Sequence, residues 1–240
     1  MGPPRFGRQT GTQRAHPYTK EEAMLKAGDV LENPVTGERA VVRVGTEESC
    51  GELLVADLHV RPGGAVMGEH FHPAMEESFA VVRGRLGYRL DGRGGVAGPG
   101  ERLHLPHGAV HDWWNAGEEE AQVLVEISPA TRFEEMIRNA YGLARDGKTD
   151  GKGRPRILQT ALFAREFDDV IRFTSPPRPV QKALFGILAP IARLLGYRGS
   201  YPKYLASQPS RPGGPGPRPG SAAITEGRSG AKAEEKKTRA

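Results

Sequence analysis

Residues 64–115 constrain this chain more than any other stretch, because turn glycines, histidines and one glutamate recur there at fixed intervals. The first half runs Gly64, five residues, His70, one residue, His72, four residues, Glu77, six residues, Gly84. The second half runs Gly100, five residues, Pro106, one residue, Gly108, two residues, His111, three residues, Asn115. Five of the seven histidines fall inside it. Alternate residues of a strand share a face, so His70 and His72 point together. Glu77 has the wrong parity for that strand, and the Pro73 bend puts it on a returning one, where it can face them. Phe79 and Val81 share its face. His111 arrives from a distant strand directly after the Pro106–Gly108 turn, with Trp113 on the same side.

Short runs rich in Val and Leu, closed by turn signals, surround this pattern. Strands are predicted at 39–44, 52–60, 77–82, 85–90, 102–105, 110–114 and 121–127, with Asp91-Gly92 marking a hairpin. Turns every 8–12 residues indicate a mainly β fold, a jelly-roll barrel of six to eight antiparallel strands within residues 20–130.

After Ser128-Pro129 the period changes from 2 to 3.6. Phe133, Met136, Ile137, Ala140, Tyr141 and Ala144 make an amphipathic helix, for which Thr131 and Glu134 form a capping box. Further helices are predicted at 157–173 and 180–196, so residues 131–206 form an α-helical C-terminal extension. In the last helix Val180, Ala183, Leu184, Ile187, Leu188, Ile191, Leu194 and Leu195 share one stripe, and Pro190 is expected to kink or interrupt it. That stripe needs a partner. The barrel or the other helices, a second copy of the chain, and a membrane surface flanked by Lys182 and Arg193 are the three candidates. A helical turn is expected near 21–26. Residues 1–19 read as a loose arm, and the Pro-, Gly- and Ser-rich residues 207–240 as a disordered tail.

Composition narrows the function. The formal charge is +5, but Arg and Lys are scattered, so no nucleic-acid surface is expected. A single cysteine, Cys50, excludes an internal disulfide and every multi-cysteine zinc motif. With no apolar leader and no run of about 20 apolar residues, the expectation is a cytoplasmic protein.

Three imidazoles and one carboxylate converging inside a barrel make a site for one divalent metal ion. Structural zinc prefers closed tetrahedra, often with thiolates. Mixed His and carboxylate ligands instead suit Fe(II), Mn(II) or Ni(II).

Both half-patterns resemble the two conserved motifs of the cupin superfamily, in its form with a single conserved barrel, over residues 28–130. The resemblance implies a cupin-type jelly-roll barrel with metal ligands at His70, His72, Glu77 and His111. The family also tolerates a glutamate one residue earlier, which would be Glu76. Spacing to Gly84 and cavity parity favour Glu77, which resemblance to some dioxygenase cupins would also make a catalytic base. Phe79, Val81 and Trp113 would contact a small-molecule substrate. His104 faces either the cavity, as an acid–base group, or solvent. The function so implied is a metal-dependent oxygenase acting on a small organic oxyanion. The alternatives are a non-catalytic binding module and a cupin isomerase or decarboxylase. Cupins commonly pair, so a homodimer is expected.

Overall fold

A computed structural model describes residues 24–66, 68–130 and 132–205. The expected arm, tail and Thr131 cap lie outside these residues.

The barrel strands are β1 (Val30–Asn33), β2 (Glu38–Val44), β3 (Leu54–Val60), β4 (His70–Phe71), β5 (Glu76–Arg83), β6 (Leu86–Leu90), β7 (Arg93–Ala97), β8 (Arg102–Leu105), β9 (His111–Asn115) and β10 (Ala121–Ser128). Four elements from the extension follow them: α1 (Phe133–Arg145), α2 (Ile157–Glu166), β11 (Arg172–Phe173) and α3 (Arg178–Leu194), with a short α4 (Pro202–Leu205) after these. Two antiparallel sheets result. One has the order β1-β2-β3-β10-β5-β8 and the other β11-β4-β9-β6-β7. The described residues therefore carry more strands than the six to eight expected. β1 and β11 are too short for a periodicity argument to find.

Period-2 alternation decides the inner face. Leu54, Ala56, Leu58 and Val60 of β3, and Ala121, Val123, Val125 and Ile127 of β10, are buried, while residues between them are partly exposed. These rows pack against Leu86, Ala97 and Trp113 from the other sheet. The Asp91-Gly92 hairpin forms as expected: both residues have positive φ, 46° and 79°, and Leu90 pairs with Arg93. That backbone twist suits a two-residue connection. Gly87 has a different reason to be glycine. A Cβ there would lie 2.4 Å from the Trp114 indole, which lies over the strand.

α1 starts where its periodicity predicts, but its N-cap is Arg132, without a side-chain cap. Glu134, the other residue of that expected box, is buried. Its buried carboxylate accepts hydrogen bonds from the Thr46 hydroxyl and from Arg138 Nη1, the latter at 2.7 Å. Arg138 in turn donates to the carbonyls of Tyr204 and Leu205, so α1 and α4 are joined through a buried charge pair.

α2 is shorter than predicted, ending at Glu166 rather than near Phe173. Phe167, Val170 and Ile171 are buried in the core, and Asp168 binds both Arg172 and Arg178. The chain turns there and runs back as β11. α3 continues through Pro190 without interruption. The carbonyl that loses its partner belongs to Gly186, whose missing side chain leaves open space. The predicted stripe is not the face that packs: none of its eight residues is buried. Phe185, Ala189 and Ala192 are buried, with the last two beside Leu162 of α2, while Ile187, Ile191, Leu194 and Leu195 remain exposed. No helix among the described residues is long and apolar enough to cross a membrane. Met24–Lys26 are not helical, and the rest of that expected turn lies outside the described residues.

Candidate metal centre

β4, β5 and β9 bring four polar side chains into the apolar interior. His70 is opposite His111 in the β4–β9 register, and their ring centroids are 4.3 Å apart. His72, just past β4, completes a group in which one ring nitrogen from each histidine lies within 4.8 Å of the others. Glu77 on β5 faces the group. Its Oε1 is 3.6 Å from His72 Nε2 and its Oε2 is 3.3 Å from His111 Nε2. All four residues are no more than 6% exposed.

Each imidazole is oriented through its Nδ1. His70 is held by the Gly68 carbonyl at 2.8 Å, His111 by that of Ala109 at 3.0 Å, and His72 by that of Val170 at 2.7 Å. A carbonyl only accepts, so each Nδ1 carries the proton and each Nε2 presents a lone pair inward. The remaining atoms are conspicuous. His72 Nε2, His111 Nε2 and Glu77 Oε2 are buried without a hydrogen-bond partner. Buried polar atoms in a folded protein almost always have one. The donor set, two bare imidazole nitrogens and a carboxylate oxygen beside a third imidazole, is what a divalent ion would satisfy. The residues fit the group.

Electrostatics agrees. Burial, with the His111 and His72 charges beside it, pushes His70 down to about 3, so it stays neutral and able to ligate. Burial acting alone would raise the Glu77 carboxyl. The neighbouring His72 and His111 imidazoles, which favour its charged form, outweigh it and hold Glu77 at about 2, ionised. Burial likewise opposes protonation of His111, but the Glu77 carboxylate and the Ala109 carbonyl outweigh it and raise its pKa.

The cavity beside these residues has a volume of about 100 Å³. Phe79 and Trp113 line it, as expected for substrate contacts. Val81 does not reach it, although its face is right. It is buried two residues further along β5, in the core. His104 is a correction: it lies on the outer face of β8, opposite Ser78, with its side chain 59% exposed. Glu76 is also on the outside, near His104 and His107.

Sequence reasoning missed the contribution of the extension. Phe133, Met136, Ile137 and Tyr141 of α1, and Ile171 after α2, form one wall of the cavity. The Phe133 ring stands 6.3 Å from that of His72. β11 closes the free edge of β4, pairing Phe173 with His70. Glu38 of β2 was missed as well. It lines the cavity, and parity with Ala40 and Val42 on β2 would have placed it on the inner face.

The two antiparallel sheets form a jelly-roll barrel with a candidate metal site of three inward histidines beside a glutamate. Residues 56–127 match the family model described as the cupin domain, and the barrel that contains them is followed by a helical extension. A 70-residue segment, 29% of the chain, is 39% identical to the polyketide synthase CurC of Streptomyces cyaneus, and it spans 45% of that relative's length. Among solved structures, KdgF from Halomonas sp. is 21% identical, with a TM-score of 0.37 over 41% of this chain and 84% of its own. The polyketide cyclase RemF from Streptomyces resistomycificus is 23% identical, with a TM-score of 0.36 over 43% and 69%.

Proposed function

We propose that this protein is a metal-dependent oxygenase that captures a small, largely apolar molecule through an oxyanion such as an enolate or phenolate. The observation that carries the reading is the set of buried, unpartnered Nε2 and Oε2 atoms at the end of an apolar cavity. His70, His72, Glu77 and His111 would hold the ion, and four protein ligands on an octahedral metal leave two positions for substrate or dioxygen. A divalent ion there would supply Lewis-acid stabilisation of the bound oxyanion. The chain's own residues do the rest. Phe79, Trp113, Val125 and Ile127 exclude water and seat the apolar body of the substrate. Glu77 stays ionised and balances the positive charge of the ion.

A second reading is proton transfer at an enolisable carbonyl, as in isomerisation or cyclisation. The segment shared with a polyketide synthase favours it. One experiment separates the two. The metal-free protein is reloaded with Fe(II), Mn(II), Ni(II) or Zn(II) and given β-diketones and hydroxyaryl acids while oxygen uptake and product mass are followed. Oxygen consumed in step with product, absent in His111→Ala, supports the oxygenase. Product of unchanged mass, formed equally well with Zn(II), replaces it with the proton-transfer reading. Failure to retain any of the four ions ends both.

A further inference from the structure

The cavity has a second polar end, remote from the histidines. Glu38 heads β2, is buried, and lines the same cavity as His70, His72 and Glu77. The Thr36 hydroxyl donates to its Oε2. The Tyr141 phenol of α1 hydrogen-bonds to the same carboxyl. Between the two ends the lining is hydrocarbon, including Val42, Leu58, Val125, Met136 and Ile137.

α1 serves as a ruler along this cavity. Phe133 sits beside His72, and Tyr141 sits beside Glu38. Eight residues separate them, about 12 Å at the helical rise of 1.5 Å per residue. A carboxyl buried among hydrocarbon is costly unless its hydrogen-bonding capacity is used. Tying β2 to α1 would need only a neutral amide. Burial pushes the Glu38 carboxyl up to about 7, so near neutrality it is available both as a donor and as an acceptor. A hydroxyl group needs that combination from its partners.

We propose that Glu38 and Tyr141 form a recognition site for the distal hydroxyl of an elongated ligand whose oxyanion lies at the histidine end. This rests on the reading that the histidine end holds an oxyanion. The ligand class is a short-chain molecule, with the oxyanion and the hydroxyl at opposite ends and hydrocarbon between. The volume of about 100 Å³ sets that limit, being smaller than the roughly 150 Å³ cavity that accepts benzene. A hydroxyl placed beside Glu38 and Tyr141 gains hydrogen bonds that the analogue without it cannot make.

The test compares 4-hydroxybutanoate with butanoate by calorimetry on zinc-loaded wild type, Glu38→Leu and Tyr141→Phe. Circular dichroism and metal content establish that each variant is folded and loaded. Wild type should bind the hydroxylated probe at least about tenfold more tightly. Glu38→Leu should abolish the preference and Tyr141→Phe should reduce it. An equal affinity for the two probes in wild type, or a preference that survives in both variants, overturns the proposal. A parallel arm uses 1-butanol and 1-chlorobutane on metal-free protein, where the oxyanion end plays no part. A butanol preference lost in Glu38→Leu supports the hydroxyl site even if wild type takes up no metal, which would defeat only the catalytic reading. No butanol preference overturns the site whatever the metal does.

Discussion

His72 Nδ1 is 2.7 Å from the carbonyl oxygen of Val170, a residue 98 positions further along the chain. The candidate metal centre is therefore not contained in the barrel that displays it. A ligand outside the matched segment 56–127 fixes the tautomer of a histidine inside it. Partners of this kind typically change metal affinity by about 10–100-fold when lost. A chain ended after Glu166 lacks Val170 and β11. If circular dichroism shows it folded, metal titration should give an affinity at least about tenfold weaker than that of the full chain.

The three Nδ1–carbonyl contacts also predict a spectroscopic signature. Long-range nitrogen–proton spectra of the metal-free protein, recorded near pH 8, should show the Nδ1–H tautomer for His70, His72 and His111. An Nε2–H form at any of them would mean that its lone pair is turned away from the site.

Metal content should follow the geometry rather than the count of histidines. His70→Ala and His111→Ala should each reduce bound metal from about one equivalent to a small fraction, since three inward ligands cannot hold an ion as four do. His104→Ala should leave it unchanged, because that ring lies on the outer face. Elemental analysis of protein purified without nickel resin distinguishes these outcomes.

Glu38 gives the fold a pH dependence with a definite direction. Burial raises its carboxyl from 4.5 to about 7, against the hydrogen bonds from Thr36 and Tyr141. Tyr141 beside it is itself raised and stays neutral. A raised carboxyl favours the folded state when protonated. Its contribution is complete below the unfolded value and is lost as pH rises through about 7. Relative to Glu38→Gln, which does not titrate, wild type should lose about 2–3 kcal/mol of stability between pH 5 and pH 8. Urea unfolding of both proteins at the two pH values measures the difference.

Gly142→Ala sets local preference against packing. Alanine should stabilise the middle of α1 by about 1 kcal/mol. A Cβ at that position, however, would lie 2.3 Å from the ring of buried Tyr204, whose hydroxyl is anchored on Asp146. Overpacking of this kind costs about 1–3 kcal/mol. Packing should win, lowering the melting temperature despite the better helix former.

The sequence was most legible where periodicity and turn chemistry agree. His70, His72, Glu77 and His111 could be brought together on paper, because strand parity and the turns at Pro73 and Pro106 leave few arrangements. His104 shows the limit. A four-residue strand carries too little alternation to say which face is inward, and its register with Ser78 turned it out. α2 shows a different one. Its apolar period continues past Glu166, but the edge of β4 was unpaired, and a strand pairing at Phe173–His70 took those residues from the helix. Phe133 and Tyr141 were identified as a helical stripe, yet nothing in a 3.6-residue period says that the stripe will face a cavity rather than solid core.

The pairing of β11 with β4 also sets an order of events during synthesis. All four candidate ligands have been made once His111 is added, but the carbonyl that orients His72 is still 59 residues away. At ribosomal rates of about 5–20 residues per second, that interval lasts roughly 3–12 s. Throughout it the histidines exist without β11, the strand that borders them. Closure of the candidate site is thus a late event relative to the barrel itself: the extension completes a pocket whose four side chains have already been laid down.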